Sequence, residues 1–202
     1  MNLGIFQLGQ YLLLVSFLAL PGLALLLMLK MSIRDLWQGG MMFLAPVISI
    51  AIFSLPLYAA FLLKAELIFL DGIFLAILGS STSFIILALR KERISLRWLR
   101  DEDTRYYFLL GCLFIGIVYV TSDVMRMNTV FGADSLFHLA RINKIITHAA
   151  AGNFNPLTGQ AIEIGKAYAN NFYHLLIAVL ATLTGLRAIS IWYFFEYMNI
   201  AL

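Results

Sequence analysis

Long apolar runs decide the class of this chain before any motif is considered. Four of them, 3–29, 41–63, 67–89 and 106–122, have the length and composition of membrane-crossing helices, since roughly 30 Å of hydrocarbon is covered at about 1.5 Å per residue. A fifth, 171–185, is shorter and apolar after a polar start, and a sixth begins at 188 and is still running at 202. Hydrocarbon offers no partner to a bare backbone, so the runs must be helices. The expected fold is all-α: a polytopic transmembrane bundle.

Composition closes the alternative. The chain is 62% hydrophobic and 12% charged over 202 residues, against about 25% charged in soluble domains. A soluble globule of this size has no core large enough to hide that surface. The organisation expected is 1–105, three spans and a basic loop, followed by 106–202, a span, a long loop at 124–170, a returning span and a sixth. The sixth run meets no cap, tail or charge cluster, which reads as a longer protein continuing beyond it. The first run lacks the Lys or Arg of a secretion signal at its start and is too long for a signal core. Pro21-Gly22 is expected to kink that helix, as neighbouring helices allow. The one cysteine, Cys112, builds neither a disulfide framework nor a thiolate metal cluster.

Charge gives orientation. Arg90, Lys91, Arg93, Arg97, Arg100 and Arg105 form the densest basic cluster, and the positive-inside rule makes that loop cytoplasmic. The cluster is short and interleaved with acids, so it reads as topology and no nucleic-acid partner is expected. Counting spans from it puts 30–40 inside as well, and the N-terminus, the 64–66 turn and loop 124–170 outside, in a cell membrane. The same count makes 185–187, with Arg187, a cytoplasmic hairpin.

Loop 124–170 is the one long stretch unsuited to hydrocarbon, and long loops in compact folds are usually functional. Residues 134–148 read as a helix with Asp134 in its first turn, where negative charge is favoured. Asp134, His138, Arg141, Lys144 and His148 fall on one arc of it, with Leu136, Leu139, Ile142 and Ile146 on the other side. The expectation is an amphipathic helix on the outer membrane surface, its polar edge towards a cavity. A turn-rich stretch at 152–159 then leads to Phe172-Tyr173-His174, with His174 about one turn into the fifth run. A carboxylate there can deprotonate a hydroxyl or help hold a divalent cation. Arg and Lys suit phosphate.

An outward-rising span, a loop acid, an Asp-x-x-x-His-x-x-Arg helix and then Asn155-Pro156 together resemble the first extracytoplasmic loop of the GT-C class of polyprenyl-phosphate-dependent glycosyltransferases. The return segment 168–185 is similar too. The likeness covers roughly 106–202. It departs from the commoner pattern in placing three spans before the acidic loop, and a second acidic outer-loop motif is not seen. The resemblance implies sugar transfer from a polyprenyl-phosphate-linked donor, with membrane lipids as surroundings and Asp134 as catalytic base or metal-organising acid. A bound cation, Mg or Mn, is an open possibility under that likeness.

Each residue also has a plainer reading. Asp134 could cap its helix, His138 could simply bond to it, and Arg141 could snorkel to headgroups. His138 is otherwise the second catalytic candidate, with Arg141, Lys144 and His174 as substrate-binding candidates and Asp123 as a backup acid at a span end. Two acids lie within apolar runs, Asp71 and Glu196, where an ionisable group is costly and by default functional. They carry the alternative reading, a transporter or flippase for a lipid or polar solute. A zinc site from Asp134, His138 and His174 or His148 is geometrically possible, though no HExxH-like motif accompanies it.

Overall fold

The structure, a computed structural model, describes residues 3–29, 44–91, 133–152, 155, 158, 160 and 172–201; the side chains of 3–5, 91, 133–135 and 197–201 are not among what it describes. The described residues form six helices: α1 Leu3–Met28, α2 Leu44–Leu63, α3 Leu67–Lys91, α4 Ala133–His148, α5 Phe172–Thr184 and α6 Ala188–Ala201. The only β pairing among them is an isolated bridge between Glu66 and Ala150. The all-α expectation holds.

Helices α1, α2 and α3 are each long and apolar enough to cross a bilayer. The expected span at 106–122 and the loop residue Asp123 lie outside the described residues, as does most of the basic 90–105 loop. α1 and α2 run antiparallel and very close. Gly22 has no room for a side chain: a Cβ there would meet the Ala45 backbone oxygen at 2.0 Å. Its N–H donates to the buried Ser49 hydroxyl at 2.8 Å. α1 therefore runs on through Pro21 as one helix, with α2 supplying a partner for backbone beside the proline. Phe17, Phe53 and Phe74, one from each helix, close the centre, the last two stacked at 4.0 Å. Outward, Leu55, Ile68 and Phe69 are more than 60% exposed. Such a face suits lipid, whereas in water it would be an aggregation liability.

The α2–α3 turn defines one end of this bundle. Its Lys64 sits at φ 50° and caps α2, with Ala65 N–H reaching back to the Ala60 carbonyl at 2.9 Å. The end of α4 docks on the same turn: Leu67 N–H donates to the Ala149 carbonyl at 2.7 Å, and Ala151 N–H to that of Ala65 at 2.8 Å. The 64–66 turn and the end of α4 therefore share one end of the molecule, as expected of 64–66 and loop 124–170. Arg90, the first residue of the basic cluster, lies in the last turn of α3 at the opposite end.

The fifth and sixth runs depart from expectation. α5 has only 13 residues, about 20 Å, short of the roughly 30 Å of hydrocarbon. Phe172 at its start packs on Tyr58, five residues before the end of α2, with ring centroids 5.5 Å apart. Thr182 near its finish bonds Asp71, four residues into α3, at 2.9 Å. Both ends of α5 thus sit near the 64–66 turn, and the helix crosses the bundle, touching α1, α2 and α3. Gly185, with φ 70°, caps it next to the Gln10 side chain of α1. Hairpin 185–187 consequently lies at the same end as 64–66. The expectation that the two lie at opposite ends is corrected, and with it the agreement drawn from Arg187. The reason is packing. Every residue from His174 to Ala181 is buried, and a helix apolar all round can hide in a protein core as well as in lipid.

Candidate functional site

α4 owes its position to two faces. Ile142 and Ile145 are buried on the α5 side, while Leu136, at 54% exposed, and Phe137, at 39%, look outward. The polar arc, expected to face a cavity, packs against protein. Arg141 is 4% exposed and His138 is half-buried, because the row they share faces α5 and α6. Lys144 is half-buried further along, and His148 is exposed at the last turn. Asp134 lies in the first turn of α4, one turn before His138; its side chain is outside what is described.

The structure joins two of the predicted site residues directly. His138 Nδ1 and His174 Nε2 are 2.8 Å apart, and the rings are near parallel. Trp192 of α6 stacks on His138 at 20° and on His174 at 17°. Its indole N–H donates to Glu196 at 2.5 Å, which gives that acid the partner the sequence did not reveal. Tyr173 packs edge-on against Trp192 and Phe195. The Arg141 guanidinium lies 5.8 Å from the Phe137 ring centroid, within cation–π range.

Electrostatics fix the charge of His174. Burial, then the charge of Arg141, then His138, lower the His174 pKa to about 3, so this imidazole is neutral at physiological pH. Its Nδ1 is buried with no hydrogen-bond partner. An orphaned buried N–H is rarer than an orphaned acceptor. We therefore assign the Nε2–H tautomer to His174, donating to His138 Nδ1, which leaves His138 its own proton on Nε2. Burial also lowers the pKa of Arg141, which stays a cation. Burial and Glu196 raise that of Tyr173.

No group of three metal-ligating side chains occurs among the described residues. The two imidazole nitrogens bond one another instead of flanking a cation. Asp71, the other acid within an apolar run, takes the Thr182 hydroxyl. Trp192 and Tyr173 were missed at the level of sequence. The signal available was the i, i+4 spacing of Trp192 and Glu196 on one helix face; that α6 stands beside α4 could not be read from it. The chain matches no protein-family model, no curated protein and no solved structure.

Proposed function

We propose that the protein is an integral membrane glycosyltransferase of GT-C type, taking a sugar from a polyprenyl-phosphate-linked donor at the extracytoplasmic face of the cell membrane. The observation that carries the reading is the bonded His138–His174 pair beside the buried Arg141 cation, on the α4 row that begins with Asp134. All of it lies at one end of an apolar bundle, where a lipid phosphate meets water. Arg90, which opens the basic cluster in the sequence, stands at the other end of α3, and by the positive-inside rule this supports an outward-facing position for the site.

In this reading an acceptor hydroxyl oxygen attacks the anomeric carbon of the donor sugar. The bond from that carbon to the phosphate oxygen breaks, and its electron pair leaves with the phosphate. Asp134 takes the hydroxyl proton, either directly or by organising a divalent cation. His138, held by His174, presents its Nε2–H as a donor to the developing charge. Arg141 supplies a fixed positive field beside the pair. The transporter reading needs acids facing one another along an interior path. Asp71 and Glu196 instead bond Thr182 and Trp192 at exposed positions, which favours transfer.

The test is sugar transfer from polyprenyl-phosphate-linked donors by membranes carrying the protein. Asp134→Asn should lower it about 10²- to 10⁴-fold with insertion intact. Undiminished transfer by that variant removes Asp134 from the mechanism. Transfer that resists EDTA makes Asp134 the base; transfer lost to EDTA and restored by Mg or Mn gives it the cation.

A further inference from the structure

A groove of about 600 Å³ opens between α4 and the α5–α6 hairpin, within the roughly 300–1,000 Å³ of small-molecule sites. It runs on the flank of α4 away from His138 and Arg141. Its walls are apolar: Leu139, Ala140 and Ile146 on one side, Leu186 and Ile189 on the other. Asn143, Thr182 and Arg187 are the polar lining, and Arg187 is exposed. No acid lines the groove among the described residues, and the nearest, Asp71, is engaged by Thr182.

We infer that this groove is a binding site for an anionic glycerophospholipid of the surrounding bilayer, with an acyl chain along the apolar walls and the headgroup phosphate on the Arg187 guanidinium. Three observations lead there. The Thr182–Asp71 bond holds the groove one turn inside the end of α3, which is headgroup depth for a 25-residue helix that crosses a bilayer. A mostly apolar lining with one exposed cation in it has the chemistry of a single-chain-plus-phosphate ligand. Arginine matches a headgroup phosphate through paired donors. The site is separate from the histidine pair and does not depend on the proposed reaction.

The purified protein in detergent micelles would be titrated with phosphatidylglycerol and with phosphatidylcholine, following thermal unfolding and lipid retention by native mass spectrometry. Phosphatidylglycerol should stabilise the protein more, and Arg187→Gln should weaken its retention about fivefold. Arg187→Lys, which keeps the charge, should retain part of the preference. Equal effects of the two lipids, or a preference untouched by Arg187→Gln, would overturn the proposal. So would stabilisation by inorganic phosphate alone to the same extent, since the ligand would then be free anion and not lipid.

Discussion

Helices α1–α3 and helices α4–α6 are both rich in apolar residues, yet they use them in opposite ways. The first three leave much of that surface outward, as at Phe6 of α1, Leu55 of α2 and Ile68 of α3, each more than 60% exposed. In the second set, α5 buries every residue from His174 to Ala181. The first group therefore needs a nonpolar solvent around it, whereas α5 hides its apolar surface among the other helices and takes His174 into the core with it. The difference teaches that hydropathy reports how much surface must be hidden and leaves open what hides it. Length decides between lipid and protein here, 25 residues for α3 against 13 for α5.

The sharpest way to break the comparison is at the closest contact within the first group. Gly22→Leu puts four carbons where a single Cβ already meets the Ala45 carbonyl oxygen at 2.0 Å. That neighbour is backbone and cannot swing away. Overpacking of this kind costs about 3 kcal/mol or more, and the contact also holds the Ser49 bond. We expect α1 to separate from α2, read as loss of the folded form in detergent unfolding. A variant with wild-type stability would show that α1 and α2 do not meet through Gly22.

The second group should differ in its response to acid. His174 has its pKa lowered from 6.5 to about 3, so between those values the unfolded chain binds a proton that the folded one refuses. Stability is then complete above about pH 6.5 and falls as pH drops towards 3. Going from pH 7 to pH 5 should cost about 2 kcal/mol, from 1.5 pH units at about 1.4 kcal/mol each. With Trp37 and Trp98 replaced by Phe, Trp192 fluorescence reports the transition directly, since it stacks on both imidazoles. His174→Gln should flatten the slope. An equally steep slope in that variant would place the acid sensitivity elsewhere.

How legible this was differs between the regions for the same reason. The ends of α1, α2 and α3 fall within three residues of the expected runs, because a bilayer sets one length for every span and turn chemistry marks the joints. The start of α4 was legible from Asp134 and its finish from the turn residues after it. His138 was singled out by its place on the polar arc of α4 and His174 by its place one turn into an apolar run, and the structure brings them together across 36 positions. Their edge was expected to face a cavity, and what fills that side was not legible. The arc through His138 and Arg141 has the polarity of a solvent-facing edge, and only the arrival of α5 and α6 turns it inward. Leu136 and Phe137 are outside for the same reason. The direction of α5 was misread because a run such as LeuLeuIleAlaValLeuAla carries no mark distinguishing a protein neighbour from a lipid one.

The smallest expected effect lies at the joint between the two groups. Ala149 ends α4 at φ 51°, a left-handed conformation that costs an L-residue about 1–2 kcal/mol. Its carbonyl accepts the Leu67 N–H at 2.7 Å, so the strained residue is itself the peg that fastens α4 to the α2–α3 turn. Glycine removes the clash but adds chain entropy to the unfolded state. Ala149→Gly should therefore stabilise by only about 0.5–1 kcal/mol. The gain belongs to α4–α6, because the α1–α3 contacts form without it. Hydrogen exchange should slow at amides of α4 and α5 and stay unchanged in α1 and α2. Uniform slowing across all helices would mean that the two groups open together, and the contrast drawn above would then be one of surface and not of stability.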